Sequence, residues 1–298
     1  MIPDYTATLL VLAGFWRRNL YRIIERRQLS DGVFELCVEA PRVARKVRAG
    51  QFFILRVNGL GERVPFTFSD WSAEEGWIRF IFMRVGKTSH ILSHLEAGDT
   101  LSDIVGPLGV PTHTHGLGRV AVIGGGVGAA VAYPVARAMA AEGNEVTVIL
   151  GARNSDLLIL REQFEALPLK ELIVVTDDGS AGEKGLVTAP LKRLAEAGAI
   201  DQAMAIGPAI MMKFCAATAK EHGVPCAVSL NPIMVDGTGM CGACRVTVAG
   251  QTKFGCIDGP DFDGWEVDFE ELMSRQRIYV DVEREADAEY SRGCACHL

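Results

Sequence analysis

Residues 120–141 read VAVIGGGVGAAVAYPVARAMAA, and this stretch decides the fold class. Four consecutive apolar residues predict a buried strand, the glycines predict a tight turn, and the alanine-rich run from Ala129 predicts a helix. A buried strand that turns through glycines into a helix is the opening unit of a parallel, doubly wound sheet. Glycines in that turn also allow close backbone approach to a pyrophosphate, which indicates a nucleotide site.

The alternation of strand and helix continues beyond this unit. The predicted strands are 146–150, 172–175, 203–206 and 227–230, and the predicted helices are 158–167, 187–197 and 209–222. Elements of these lengths in this order predict an NAD(P)-binding α/β domain over residues 115–230. The glycine spacing departs from strict G-x-G-x-x-G, and glycine turns of this kind also occur for helix–strand packing.

The flanking regions differ in pattern from this domain. Residues 20–114 carry short β-rich runs, at 33–38, 52–57 and 77–85, which predict a small antiparallel β-barrel. Residues 231–298 are rich in Gly, Cys and Asp and have few apolar residues, so a metal cluster is expected to hold them. Residues 1–19 form an N-terminal extension. The predicted fold class is therefore α/β plus β.

Composition narrows the class of protein. The chain has 298 residues, 49% of them apolar, and a formal net charge of −7 without a basic run, so nucleic-acid binding is a poor hypothesis. The apolar run 6–16 is shorter than the roughly 20 residues that span a bilayer. The chain opens without the basic segment of a secretory signal, so we expect a cytoplasmic protein. A docked N-terminal helix or strand is the preferred interpretation of the apolar run, and an interfacial membrane anchor followed by Arg17 and Arg18 is the alternative.

The strongest local signal is a cysteine cluster. Cys241 and Cys244 form a Cys-x-x-Cys turn, and Cys256 follows twelve residues after Cys244. This asymmetric spacing is typical of a [2Fe-2S] ferredoxin site, in which Asp236 occupies the place of the first cysteine. We therefore predict Asp236, Cys241, Cys244 and Cys256 as ligands. A zinc site, and a plain turn role for Asp236, remain as alternatives.

The other cysteines have separate interpretations. Cys37, Cys215 and Cys226 lie singly in apolar segments and are predicted to be core residues. Cys294 and Cys296, followed by His297, could bind metal, but an exposed terminus is the preferred interpretation.

Two segments of the barrel region are candidates for flavin binding. Arg63 could meet a flavin pyrophosphate and Thr67 could donate to the isoalloxazine ring. A second turn, beginning at Gly86, offers further phosphate contacts. An ordinary edge strand and a tight surface turn are the alternatives. The predicted flavin residues are Arg63, Val64, Pro65, Phe66, Thr67, Ser69, Gly86, Lys87, Thr88 and Ser89.

The nucleotide site is predicted from the ends of several strands. The turn at Gly207 and Pro208 could bring a nicotinamide to the flavin, so Thr67, Gly207 and Pro208 are expected at the reacting centre. Arg153 could receive a 2′-phosphate, or could pack or form an ion pair. The predicted nucleotide residues are Gly124, Gly125, Gly126, Val127, Gly128, Arg153, Asp178, Gly207 and Pro208.

Barrel, nucleotide domain and cysteine cluster, in that order, resemble the ferredoxin–NADP reductase-like flavoproteins. More closely, the chain resembles the small subunits of NADH-dependent reduced ferredoxin:NADP oxidoreductases over residues 21–279. The most specific run is SLNPIMVDGTGMCGACR, residues 229–245, and runs 176–180 and 258–264 agree with it. Dihydroorotate dehydrogenase electron-transfer subunits share the architecture but hold their cluster with four cysteines. The wider superfamily has an Arg-x-Tyr-Ser motif in this strand. Here Arg63 is followed instead by a segment that contains Pro65 and Phe66.

The resemblance implies a function. It implies FAD, one [2Fe-2S] cluster with Asp236 as a ligand, and NAD(H), with NADP(H) left open. It also implies a larger flavoprotein partner that carries [4Fe-4S] clusters and reaches ferredoxin, in a complex that performs electron bifurcation. Two alternatives stay open. One is an electron-input subunit of a sulfide or polysulfide reductase, a hydrogenase or a dihydroorotate dehydrogenase; the other is a zinc-stabilised nucleotide-binding regulatory module.

Overall fold

The structure is a computed structural model that describes residues 21–59 and 61–295. The predictions made for the extension 1–19, for Cys296 and for His297 lie outside the described residues, as does the side chain of Cys294. Among the described helices, none combines the length and the apolar character that a membrane crossing needs.

The first region is antiparallel β structure, as predicted, and it consists of two sheets around an aromatic core. Its strands are β1 (Tyr21–Ser30), β2 (Val33–Glu39), β3 (Phe52–Arg56), β4 (Val64–Thr67), β5 (Asp70–Ser72), β6 (Trp77–Met83), β7 (Thr100–Leu101) and β8 (Asp103–Leu108), with helices α1 (Pro41–Ala44) and α2 (Lys87–Ser93). The sheet orders are β5-β6-β2-β1-β7 and β4-β3-β8. Between them the fully buried Phe53 packs against Phe68 and Phe80, with ring centroids 4.8 and 5.3 Å away.

The second region is the predicted parallel α/β domain. Its strands are β9 (Arg119–Gly125), β10 (Glu145–Ala152), β11 (Glu171–Thr176), β12 (Glu183–Lys184), β13 (Gln202–Ile206) and β14 (Cys226–Ser229), with helices α3 (Ala129–Ala141), α4 (Arg161–Glu165), α5 (Thr188–Glu196) and α6 (Ala209–Glu221). The strand order β12-β11-β10-β9-β13-β14 reverses between β9 and β13. Ligands of doubly wound sheets bind at such a reversal, beyond the carboxyl ends of the strands.

Helix α4 is shorter than the helix predicted at 158–167. It begins only after Leu160, whose φ of 59° is left-handed. A 3₁₀ turn at Ser155–Leu157 precedes it, and Pro168 stands two residues beyond its C-cap residue, Ala166. The apolar periodicity of this segment therefore reflects packing of a turn and a short helix rather than one long helix.

The third region is built onto the other two. It contains β15 (Arg245–Val248), β16 (Gln251–Phe254), β17 (Asp261–Asp263), α7 (Phe269–Gln276) and α8 (Val280–Ala295). Strand β17 pairs antiparallel with β14 and so extends the parallel sheet. Val246 and Leu272 pack into the core of the α/β domain, whereas Cys244 packs with Phe52 and Ile54 of the first region. The scarcity of apolar residues is thus compensated by cores that belong to the neighbouring domains.

One buried carboxyl group joins all three regions. The Thr112 hydroxyl, in the segment after β8 of the first region, donates to Asp261 Oδ2 at 2.5 Å, and Asp261 pairs with Ser229 across β17 and β14. Asp261 Oδ1 is out of contact with solvent and has no hydrogen-bond partner among the described residues. Burial raises the pKa of Asp261 to about 6, and the hydroxyls of Thr112 and Ser229 oppose this shift.

This group gives a pH dependence of stability that can be measured. Because its pKa is higher in the folded state than in the unfolded chain, the folded protein holds the proton more tightly, and stability falls as pH rises from about 4 to about 6. The expected loss from this group is about 3 kcal/mol of unfolding free energy. Urea unfolding across this pH range should show a smaller decrease in Asp261→Asn than in the wild type. Asp263→Asn, on the exposed end of the same strand, should behave like the wild type; if all three proteins show the same decrease, Asp261 is not its source.

Candidate active site

A cleft of about 590 Å³ lies between the first region and the α/β domain. Its volume falls in the range of roughly 300–1,000 Å³ that is usual for cofactor sites. The predicted site residues that line it are Val64, Pro65, Phe66, Thr67, Gly86, Lys87, Thr88, Ser89, Val127, Gly128 and Gly207. The structure therefore brings the predicted flavin strand, the predicted phosphate turn and the nucleotide loop to one cavity.

Strand β4 forms one wall of this cleft. Phe66 pairs with Phe53 and packs against Phe80, with ring centroids 5.2 Å apart, so the aromatic core fixes the strand. The Thr67 hydroxyl makes no hydrogen bond to any described residue and is available to a ligand. Arg63 is exposed and lies outside the cleft wall, while Ser69 is buried and its hydroxyl has no partner in the described part of the chain.

The phosphate turn is organised by its own hydroxyl groups. Ser89 Oγ accepts hydrogen bonds from the backbone N–H groups of Val85 and Gly86, at 2.9 and 3.0 Å. The Thr88 hydroxyl donates to Glu62, a cleft residue that the sequence did not single out, at 2.5 Å. The Lys87 ammonium makes no hydrogen bond or ion pair within residues 21–59 and 61–295, so it is the member of the turn that can meet an anion.

The glycine loop is pressed against the end of β13. A Cβ atom on Gly128 would lie 2.4 Å from the Ile206 carbonyl oxygen and 2.8 Å from Gly207 Cα. Only glycine therefore permits this contact, which places the loop directly beside the Gly207–Pro208 turn. Gly124 packs closely on α3, with an added Cβ only 3.2 Å from Ala129 Cα. Glycines are therefore needed in this loop partly for helix–strand packing, which was the alternative to a nucleotide-binding role. Gly128 also lines the cleft.

Arg153 and Asp178 lie together at the carboxyl ends of β10 and β11, away from the cleft wall. The backbone N–H of Asp178 donates to the Arg153 carbonyl at 3.3 Å, and both side chains are exposed. The Ser180 hydroxyl and backbone N–H donate to the Asp178 carboxylate and lower its pKa. An anchored carboxylate and a guanidinium without a partner among the described residues thus stand at one edge of the sheet.

The predicted metal ligands lie on two neighbouring segments, the loop 236–244 and the turn after β16 that carries Cys256. Cys244 Sγ and Cys256 Sγ are both buried and lie 3.2 Å apart. Asp236 Oδ1 accepts from the Thr238 N–H at 2.7 Å and Oδ2 accepts from the Cys241 N–H at 3.0 Å. The loop contains Gly237 and Gly239, both with left-handed φ values, 76° and 83°.

This loop fits an iron–sulfur cluster in its donor chemistry. Burial and the neighbouring Cys244 thiol raise the pKa of Cys256 to about 12, because two adjacent thiols resist ionisation where no cation compensates them. Iron removes that penalty, since it binds thiolates. The Cys241 thiol is exposed, and in this conformation no three acidic, cysteine or histidine side chains in the described part of the chain are arranged to hold a metal ion. Each carboxylate oxygen has two lone pairs, so Asp236 can accept the hydrogen bonds of the turn and bind a metal ion at the same time.

Two residues connect the cleft to this loop. Phe52 and Met234 both line the cleft and belong, with Ile54, to the same buried cluster as Cys244 and Cys256. Sequence patterns do not indicate this shared cluster, because nearly two hundred residues separate Phe52 from Cys244. Glu283 and Ala286 of α8 also line the cleft, and the acidic sequence of that helix has no apolar periodicity that could have indicated it.

These features define an NAD(P)-dependent flavin and iron–sulfur oxidoreductase with the fold of the ferredoxin–NADP reductases. An oxidoreductase NAD-binding domain matches at residues 122–217, and the iron–sulfur cluster binding domain of dihydroorotate dehydrogenase B matches at residues 231–268. The chain belongs to the family of electron transfer subunits that contains that of dihydroorotate dehydrogenase B. The family match means that FAD, NAD(P) and an iron–sulfur cluster are the cofactors, and it replaces the zinc alternative.

Three comparisons support this assignment. The chain is 48% identical to a Thermotoga maritima homolog of the dihydroorotate dehydrogenase B electron transfer subunit, over 89% of this chain and 93% of that protein. It is 35% identical to the electron transfer subunit of Desulforamulus reducens dihydroorotate dehydrogenase B, over 84% and 97%. A chain of the solved NADH-dependent reduced ferredoxin-NADP oxidoreductase is 47% identical, with a TM-score of 0.86 and coverage of 91% and 97%.

Proposed function

We propose that this chain is the small subunit of an NADH-dependent reduced ferredoxin:NADP oxidoreductase, and that it passes electrons between NAD(H), FAD and a [2Fe-2S] cluster. The observation that carries the proposal is that Phe52 and Met234 line the cleft and share one buried cluster with Cys244 and Cys256. These two residues would connect a flavin in the cleft to a cluster held by the cysteines. The similarity to the solved oxidoreductase, which was studied for flavin-based electron bifurcation, supports the choice of complex.

The residues of the cleft have distinct roles in this proposal. When bound, FAD supplies two-electron chemistry with the nicotinamide and one-electron chemistry with the cluster. Lys87 binds the diphosphate and Thr67 orients the flavin ring. Gly128 and Gly207 leave the space through which a nicotinamide approaches the ring. These two glycines and Pro208 position the nicotinamide. Positioning by itself can lower the activation barrier of such reactions by several kcal/mol.

The cluster region has a separate task. Cys241, Cys244, Cys256 and Asp236 would hold the [2Fe-2S] cluster, which requires the exposed Cys241 thiol to turn toward the other three ligands. An oxygen ligand in place of a thiolate changes the electronic environment of one iron. The partner in this proposal is a larger flavoprotein subunit that carries [4Fe-4S] clusters and through which ferredoxin is reached. Asp236 favours this complex over dihydroorotate dehydrogenase, the second candidate, whose subunits hold the cluster with four cysteines.

The proposal is tested by mixing the purified chain anaerobically with NADH, and separately with NADPH, while recording the visible spectrum. We expect NADH to bleach the flavin and iron–sulfur bands together and NADPH to do so far more slowly. A protein with a flavin band and no iron–sulfur absorption would remove the cluster from the proposal. Bleaching by NADPH alone would reverse the nucleotide assignment.

Two variants test the nucleotide end of the site. If Asp178 accepts a ribose hydroxyl, Asp178→Ala should raise the KM for NADH by about 10-fold, the value of one hydrogen bond to a charged group. Arg153→Ala should leave the NADH value within about 2-fold and should weaken only the residual reaction with NADPH, because its guanidinium suits a 2′-phosphate. The opposite pattern in stopped-flow reduction would identify an NADPH site.

A further inference from the structure

Helix α8 lies beside the phosphate turn, where two of its residues contact His90. His90 Nδ1, on α2, is 3.2 Å from Asp287 Oδ1, and the His90 ring meets the Tyr290 ring edge-on at 5.5 Å between centroids. Most of the described α8 side chains are exposed, and Val282 is 64% exposed. Burial of apolar side chains therefore contributes little to the stability of this helix, and its inner face is a candidate for contact with a ligand.

The inner face of α8 points into the cleft. Glu283 and Ala286 line it, and the spacing of 283, 286, 287 and 290 places these residues on the same side of the helix as the His90 contact. The Glu283 carboxylate has no hydrogen bond or ion pair with any residue that the structure describes. Lys87 and Thr88 line the same cleft, so Glu283 faces a space that also contains the phosphate turn.

The position of Glu283 along the cleft follows from the residues that line it. The α8 residues in the cleft wall are Glu283 and Ala286, and the α2 residues in it are Lys87, Thr88 and Ser89, at the N-terminal end of that helix. Glu283 therefore lies at the end of the cleft occupied by the phosphate turn. Thr67 and Gly207 line other parts of the cleft wall. In the proposed function, the isoalloxazine ring and the nicotinamide meet at these two residues.

A carboxylate at this end cannot bind a diphosphate, because like charges repel, but it accepts hydrogen bonds from hydroxyl and amino groups. Beyond the diphosphate, FAD presents an adenosine with ribose hydroxyls and an amino group, whereas FMN ends at its single phosphate. We propose that α8 forms the adenosine subsite of the flavin cleft, that Glu283 accepts hydrogen bonds from the adenosine, and that this helix makes the site select FAD over FMN. The inference rests on the assignment of the cleft to a flavin made above.

The test is a titration of the deflavinated full-length protein with FAD and with FMN, followed by quenching of flavin fluorescence. Glu283→Ala should raise the Kd for FAD about 10-fold through loss of a charged hydrogen bond and leave the Kd for FMN within about 2-fold. Ala286→Phe should weaken FAD further by filling the adenosine space, again without effect on FMN. Glu289→Ala, an exposed carboxylate of the same helix, is the matched control and should change neither value.

The outcomes separate this inference from the proposed function. If the wild type binds FAD but Glu283→Ala and Ala286→Phe leave its affinity unchanged, the adenosine subsite is overturned and the flavin assignment stands. Equal losses of FAD and FMN would also overturn it, because α8 would then only brace α2. A wild-type protein that binds neither flavin would overturn the flavin assignment itself.

Discussion

Replacing Cys256 by alanine is expected to abolish the iron–sulfur cluster and to lower electron transfer from NADH to a one-electron acceptor by at least about 100-fold. Cys256 is buried, 3.2 Å from Cys244, and its loss leaves too few thiolates to hold two irons. Loss of an outer-sphere partner alone costs about 10- to 100-fold at metal sites, so loss of a ligand should cost more. Iron and acid-labile sulfide content measure the first effect, and steady-state reduction of cytochrome c measures the second.

The control for this experiment is Cys215→Ala. Cys215 is a buried thiol in the core of the α/β domain, where desolvation raises its pKa, and it lies outside the cluster loop. Its replacement should lower stability slightly and leave iron content unchanged. FAD content should stay the same in both variants, since neither cysteine lines the cleft. If Cys256→Ala retains a full complement of iron, the ligand assignment is wrong.

Asp236→Cys tests the fourth ligand in the same assay. A ligand role predicts that the cluster persists in this variant with altered electron paramagnetic resonance g-values, because a thiolate has replaced an oxygen donor. A turn role predicts unchanged g-values and a less stable loop, since the two hydrogen bonds from the Thr238 and Cys241 N–H groups would be lost. The two roles are therefore separated by spectroscopy rather than by activity.

The second large effect is expected for Gly128→Ala. One methyl group here would meet the Ile206 carbonyl at 2.4 Å, and since that atom is backbone, the glycine loop must move away from Gly207. A displacement of about 1 Å in a positioning element can reduce the rate about 100-fold. Flavin reduction by NADH in the stopped flow should fall by that order, whereas photochemical reduction of the flavin should be unaffected.

Gly59→Ala is the matched glycine control. An added Cβ at Gly59 would meet no atom of the described residues within 4 Å, so NADH-dependent reduction should match the wild type. FAD and iron content should also be normal in Gly128→Ala, because the flavin strand and the cluster loop are built from other segments. A normal rate with NADH would mean that the nicotinamide does not pass the Gly128–Gly207 contact.

Much of the fold could be predicted because its signals are local. The continuous apolar runs predicted β9, β10, β11, β13 and β14 to within two residues at each end, and the helix at Ala129–Ala141 begins and ends where the alanine-rich run does. The cysteine pattern likewise predicted the iron–sulfur class, which the family match confirms. These features depend on neighbouring residues and on spacing, which a sequence displays directly.

What could not be predicted depends on distant contacts. The roles of Ser89 in capping its own turn and of Glu62 in accepting from Thr88 depend on side-chain directions that spacing does not fix. Strand β17 was missed because three residues leave no period to detect, and α8 was missed because its sequence is acidic and carries no apolar stripe. The ligand and nucleotide assignments themselves remain predictions that the variants above can test.

The pairing of β17 with β14 has a consequence for modularity. Strand β14 would otherwise be an exposed edge of the parallel sheet, and unpaired edges invite association with other chains. The segment that carries the cysteines therefore also covers the β14 edge of the nucleotide-binding sheet. Exchange or deletion of either the cysteine segment or the α/β domain alone would leave that edge without its partner strand. Substitution of single cysteines could remove the cluster during evolution and leave the sheet intact. Removal of the whole segment would expose the β14 edge and leave a reductase prone to aggregation.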